Sequence, residues 1–190
     1  MAERAKNMRQ LLIEAGIEEI NRVGVADFSV RRVATACGVS CAAPYKHFKD
    51  RREFVAAIIE YVNEQWQVRQ EEILSGCTGG LREQIVEVVG GYIRFLMEKP
   101  WFRTILMHKD AEFDNLYHKV RGQMSSRSQQ MEAQFLAESG WEEGRFRRKL
   151  HIVRAILFGT VFLIDSGELT YNESVLETVR AAVDREFDLP

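Results

Sequence analysis

Between Ser29 and Phe48, small, cationic and hydrogen-bonding residues stand at spacings that suit docking on a polyanion. Gly38-Val39-Ser40 reads as a turn, and Ala42 and Ala43 follow it. Two alanines keep one face of a short helix smooth, so that its backbone can approach base edges, and an alanine methyl can meet a thymine methyl. Tyr45, Lys46, His47, Lys49 and Arg51 then bring hydroxyl, ammonium, imidazole and guanidinium donors, the groups that hold phosphate oxygens. Tyr45 can also pack the small core, Phe48 is read as a core residue, and Arg32, Lys49 and Arg52 can equally be solvated surface. The sequence has no G-x-S-x-G, P-loop, H-E-x-x-H or dinucleotide fingerprint, so no residue is assigned as catalytic and the chain is read as a non-enzyme.

Such residues need two short helices to carry them, and the punctuation supplies these. Ser29 stands at an N-cap, Val30, Val33, Ala34 and Cys37 make a short apolar face, and Gly38 ends it. Ser40 can cap a second helix, Cys41 to Phe48, with Pro44 near its first turn, where a missing N–H costs least. At roughly 1.5 Å per residue that helix is about 12 Å long, comparable to the width of a major groove. The pattern is that of a helix-turn-helix. A preceding helix, about Arg4 to Val23, carries Leu12, Ile13, Gly16, Ile17 and Ile20 on one stripe and completes a three-helix head.

The rest of the chain also reads as helix, with no sustained period-two alternation. Further helices are expected at about 51–75, 81–97, a short one after Pro100, 113–139, 145–166 and 172–187, giving an all-α fold of about nine helices. The division expected is a helix-turn-helix head at 1–50 and a helical body at 51–190, joined by the helix at 51–75.

Charge supports that division. Residues 1–52 hold 10 Lys and Arg against 6 acids, a balance of +4, while the other 138 residues hold 16 against 22, a balance of -6. A basic head on an acidic body marks the first segment as the one that meets a polyanion. The longest apolar stretch, Ala155 to Ile164, is too short for a membrane span, and the N-terminus has no apolar leader. With three cysteines, an odd number, the expectation is a cytoplasmic chain with reduced thiols. Cys37 and Cys41 straddle the turn without a second ligand pair, which argues against zinc and leaves a redox role open. His108 with Glu112, and Asp114 with His118, have the four-residue spacing of a metal pair, but solvated helix charges are the reading preferred, and no metal or cofactor is assigned.

The run Phe28-Ser29-Val30-Arg31-Arg32-Val33-Ala34, then Cys37-Gly38-Val39-Ser40, then Tyr45-Lys46-His47-Phe48 and Arg51, resembles the DNA-binding domain of the tetracycline-repressor (TetR) family. The resemblance covers about the first 55 residues. It departs at Cys37, Pro44 and Arg51, where the family usually has alanine, leucine or isoleucine, and lysine. The resemblance implies a homodimeric transcriptional regulator, usually a repressor, whose head binds a DNA operator and whose body binds a small-molecule effector. Carried over, it places Ser40, Ala42, Ala43 and Lys46 toward bases or nearby backbone, and Arg31, Tyr45, His47 and Arg51 on phosphates.

One short reading helix makes too little contact for a specific operator, so two heads are needed. The helix around Ala155 to Ile164 is apolar nearly all round, which asks for burial on two sides. Leu157, Val161 and Ile164, with Val175, Val179 and Val183 of the last helix, are the expected dimer interface. The expected effector site draws on large apolar side chains: Tyr92, Phe95, Leu96, Phe102, Met107, Tyr117, Met124, Phe158 and Phe162, with Trp101 beside them, although ordinary core packing explains many of these. Arg127 and Ser128 interrupt the stripe of the 113–139 helix, Ser128 being chosen to meet a polar end of an otherwise apolar ligand. The readings set against this one are a helical enzyme or carrier with a head that no longer reads DNA, and a DNA-binding protein with a solid, ligand-free body.

Overall fold

The computed structural model describes residues 2–107, 127, 129–131 and 133–189, with backbone alone for residues 2–6 and 104–107. These residues form eight α-helices and no strand: α1 (Ala2–Val23), α2 (Val30–Ala36), α3 (Arg51–Gly76), α4 (Leu81–Glu98), α5 (Pro100–Met107), α6 (helical residues 127, 129–131 and 133–139), α7 (Glu143–Asp165) and α8 (Glu173–Glu186). None of the described helices is long and apolar enough to cross a membrane. The described residues group into two compact units, one of residues 2–65 with 99–107 and one of residues 66–98 with those from 127 onward.

In the first unit, α1 buries Leu12, Ile13 and Ile20. Gly16 lets α3 come close, because a Cβ there would lie 2.6 Å from Ile58 Cδ1. Gly24, at φ +78°, ends α1 with a hydrogen bond from its N–H to the Ile20 carbonyl. Ser29 caps α2 by accepting the Arg32 N–H, as its position predicts. Gly38, at φ +66°, then turns the chain. Three rings close the core: Phe54 stacks on Phe48 at 4.0 Å between centroids and meets Phe28 edge-on at 5.3 Å.

The helix expected from Cys41 to Phe48 is absent, and a short 3-10 turn, Pro44–Lys46, stands in its place. Pro44 has no N–H to give to the Ser40 carbonyl, so that carbonyl accepts from Ala43 instead, at 2.9 Å. Lys46 and His47 continue in three-residue steps, donating to Ala43 and Pro44. The chain therefore winds tighter than an α-helix over this stretch. At its exit a reciprocal cap starts α3: Asp50 Oδ1 accepts the Glu53 N–H at 2.8 Å, and Glu53 Oε2 accepts the Lys49 N–H at 2.6 Å.

A buried carboxylate braces α1 to α2. Glu19 accepts from Arg22 at 2.7 Å and from Arg32 at 2.5 Å. Burial works to raise the Glu19 carboxyl, but the hydrogen bonds and charges of the two arginines outweigh it and hold the group below its ordinary value of 4.5. A carboxyl depressed by folding stabilises the folded state above that value, and the stabilisation drains away as pH falls through the lower, folded value. Urea melts between about pH 3 and pH 6 should therefore show an acid limb that Glu19→Gln flattens in part. It will not flatten fully, because Arg82 holds the Asp188 carboxyl down in the same direction.

In the second unit α8 packs on both α4 and α7, and α4 also packs on α7. Ile85, Val89, Ile93 and Leu96 of α4, Leu150, Val153, Leu157 and Val161 of α7, and Leu176, Val179 and Val183 of α8 are all buried. Within this layer Lys149 donates to Glu186 at 2.9 Å, with only 5% and 9% of the two side chains exposed. Phe135 packs on Trp141, Phe146 and Phe187 and closes one end, and Arg82 ties α4 to Asp184 and Asp188.

Candidate nucleic-acid interface and the residues of the body

The turn of the first unit presents its polar residues and hides its anchors. Pro44 and Phe48 are buried, four residues apart, and fix the segment to the core. Between and around them Ser40, Ala42, Tyr45 and Lys46 are exposed, Tyr45 by 56%, while Ala43 and His47 are half-buried. Arg31 stands exposed on α2. Six of the eight sequence-chosen residues thus lie within one short segment, residues 40–47, and a seventh, Arg31, is on α2. Such a segment can lay its small side chains against base edges while Lys46 and Arg31 meet backbone phosphates.

Arg51 is the exception. Its guanidinium faces inward and donates to the carbonyls of Val25, Ala26 and Phe28, at 2.5, 3.0 and 3.2 Å. It satisfies the loop that leaves α1, where Gly24 has broken the helical ladder. Arg51 is therefore corrected from a phosphate contact to a clamp on that loop. A planar cation with five donors suits three diverging carbonyls, and nothing in the spacing along the sequence reveals that use.

The cysteines beside this segment differ from each other. Burial, and then the nearby Glu18 charge, push the Cys37 thiol above its ordinary value, which lowers its thiolate fraction and its reactivity. Cys41 is exposed.

The residues chosen for the effector divide. Phe95 and Leu96 are buried on α4, and Tyr92 packs on Trp66 at 4.7 Å, with Trp66 also 5.4 Å from Phe95. Burial pushes the Tyr92 phenol well up, so it stays a neutral hydroxyl. Phe102 is buried in the first unit beside Trp101, ring centroids 5.7 Å apart. Tyr117, Met124 and Ser128, the side chain of Met107, and the pairs His108 with Glu112 and Asp114 with His118 lie outside the described residues. Among the described residues no group of three or more His, Cys, Asp or Glu is placed to hold a metal ion. Arg127 is exposed and pairs with Glu71 at 3.8 Å.

On α7 and α8 the burial of the expected site residues differs from the sequence reading. Phe158 and Phe162, expected to line the effector site, are 38% and 56% exposed. Leu157 and Val161, with Val179 and Val183 of α8, were expected at a dimer interface but are buried within the unit. Ile164 and Val175 are half-buried. The reason is angular. At about 100° per residue, 153, 157, 161 and 164 share the side that meets α8, while 152, 155, 159 and 163 share the other, flanked by 158 and 162. Ile152 (42%) and Leu163 (39%) are also exposed there, and a Cβ at Gly159 would meet nothing within 4 Å. Because this stretch is apolar on every side, its sequence shows two faces without showing which one turns inward.

Residues 12–58 match the profile of the bacterial regulatory proteins of the tetR family. No match is found among curated proteins. Solved structures share the fold over nearly the whole chain. A protein of unknown function from Rhodococcus sp. RHA1 superposes with a TM-score of 0.77 at 22% identity, over 95% of this chain and 93% of that one. A transcriptional regulator of the TetR/AcrR family from Thermobifida fusca YX-ER1 gives 0.66 at 17% identity, over 94% and 97%. The regulator FadR from Bacillus subtilis, solved in complex with stearoyl-CoA, gives 0.71 at 16% identity, over 90% and 96%.

Proposed function

We propose that this chain, whose residues 12–58 match the profile of the tetR family of bacterial regulatory proteins, binds a pseudo-palindromic DNA operator as a homodimer and is released by a small molecule. The observation that carries the reading is the segment from Ser40 to Lys46, in which Ser40, Ala42, Tyr45 and Lys46 are exposed while buried Pro44 and Phe48 pin it to the core. Two such segments are needed, because one short element buries too little surface for a specific site. The outward face of α7, with Ile152, Phe158, Phe162 and Leu163, is the proposed seam between protomers.

The effector we propose is mostly apolar with one polar end, held in the cytoplasm by a body rich in aromatic residues. The Trp66, Tyr92 and Phe95 cluster supports an apolar guest, and the likeness in fold to FadR agrees with that class. Effector binding would act by changing the separation of the two heads. Half-sites recur about 34 Å apart, so a small change in separation forbids simultaneous docking, and the avidity of the pair is lost without any change inside either head. The helix α3 carries residues of both units and is the covalent route for such a signal.

The test is a selection of random duplexes by the purified chain, with enriched sequences rebound over a salt series. The expected result is a pseudo-palindrome with half-sites one helical turn apart and a steep fall of affinity with salt. Weak binding that is blind to sequence would overturn the operator reading, and the tight turn at Pro44 would then be the first cause to examine.

A further inference from the structure

The cations of the head are not equally available. Arg22 and Arg32 both donate to Glu19, Arg32 also to the Asp27 carbonyl, and Arg51 is spent on three carbonyls. Arg9, on α1, is different. It is exposed, and among the described residues no carboxylate pairs with it. Its guanidinium carbon lies 5.4 Å from the centroid of the Phe48 ring. That ring is itself fixed, stacked at 4.0 Å on Phe54 and 2% exposed. Phe48 closes the segment that carries Lys46 and His47, and Lys49 follows it directly. Arg9 is thus brought from a different helix to the cationic end of the exposed turn.

A guanidinium over an aromatic face spends its π surface on the ring and keeps its N–H edges in its own plane. Those edges are the ones that grip two oxygens of a phosphate at once. The ring also restrains a long side chain, which lowers the entropy lost when it is ordered against a ligand. We propose that Arg9 is a DNA-phosphate contact, so that α1 as well as the turn touches the duplex backbone. This rests on the reading of the head as a DNA-binding element. The alternative use of Arg9 is as a lid, its methylene stem covering Phe48 with the charge left in water.

The two uses separate on charge. Arg9→Met keeps an apolar stem over Phe48 and removes the cation, while Arg9→Lys keeps the cation. Binding is measured on a mixed-sequence duplex of about 30 base pairs, long enough for two half-sites one turn apart. For wild type, Arg9→Lys and Arg9→Met, affinity is followed over a salt series and thermal stability is read alongside. Arg9→Met should lower the slope of log affinity against log salt by about 0.9 per head, and affinity at 0.1 M salt by about eightfold for each head. Arg9→Lys should restore the slope. The loss should be the same on unrelated sequences, because a phosphate contact carries no base information. An unchanged slope in Arg9→Met, with or without a lower melting temperature, overturns the proposal and leaves the lid. If wild type itself fails to bind the duplex, the DNA-binding reading falls first and this inference with it.

Discussion

Lys149→Met should lower the unfolding free energy of the chain by about 3–5 kcal/mol, the cost of leaving the Glu186 carboxylate buried without its partner. That is a large share of the roughly 5–15 kcal/mol by which folded chains exceed their unfolded state. Urea denaturation followed by far-ultraviolet circular dichroism would read it as a shift of the midpoint. The double change Lys149→Met with Glu186→Leu should recover most of the loss, because both desolvated charges are then gone and the space between α7 and α8 stays filled. A comparison fixes the scale. Arg147 and Glu143 also pair, on the surface of α7, with 72% and 66% of their side chains exposed. Arg147→Ala should cost no more than about 0.5 kcal/mol. If Lys149→Met behaved like Arg147→Ala, water would have to reach the buried pair, and the packing of α7 on α8 would be looser than the structure shows.

The head was legible because its signals are local. Ser29 capping α2, Gly24 and Gly38 at positive φ, and the apolar stripe of α1 each act within a few residues, and each stands where its residue type requires. Pro44 was equally visible, but its effect depended on what followed. A proline in a first turn is harmless if four-residue hydrogen bonds take over behind it; here three-residue bonds continue through His47, and the expected helix becomes a tight turn. Arg51 was illegible for the opposite reason. Its partners, Val25, Ala26 and Phe28, lie some two dozen residues away in a loop, and only the fold makes them neighbours.

The body hid its use in symmetry. A helix with apolar residues on one side announces its inward face, whereas α7 between Ala155 and Ile164 is apolar on both. In the folded chain Lys149 reaches Glu186, Val153, Leu157 and Val161 lie along the same side of α7, and the face with Phe158 and Phe162 is left outside. Of the residues expected to line an effector site, Phe95 and Leu96 are buried on α4, and Tyr117, Met124 and Ser128 fall outside the described residues.

The outward face of α7 leads to the second large effect. Four big apolar side chains, Ile152, Phe158, Phe162 and Leu163, stand exposed on one helix, with Ala155 and Gly159 among them. Small residues between large ones let a second helix approach closely, and aromatic side chains are the usual anchors of a protein interface. Under the proposed dimer, Phe158→Asp with Phe162→Asp puts like charges on both sides of a self-complementary seam, since each substitution appears twice. Light scattering at micromolar concentration should then show a monomer where wild type shows a dimer. The fold should survive, because Phe162 is 56% and Phe158 38% exposed in the single protomer and neither belongs to the buried core. Affinity for the selected operator should fall by about 100-fold or more, the avidity lost when two heads no longer arrive together. Leu157→Asp separates this from general damage: that side chain is 7% exposed and packs inward, so its replacement should unfold the body rather than split a folded dimer. A Phe158→Asp, Phe162→Asp protein that stayed dimeric and kept its operator affinity would move the seam off α7 altogether, and the polar outer face of α8, with Ser174, Glu177, Thr178 and Ala181, would be the surface to test next.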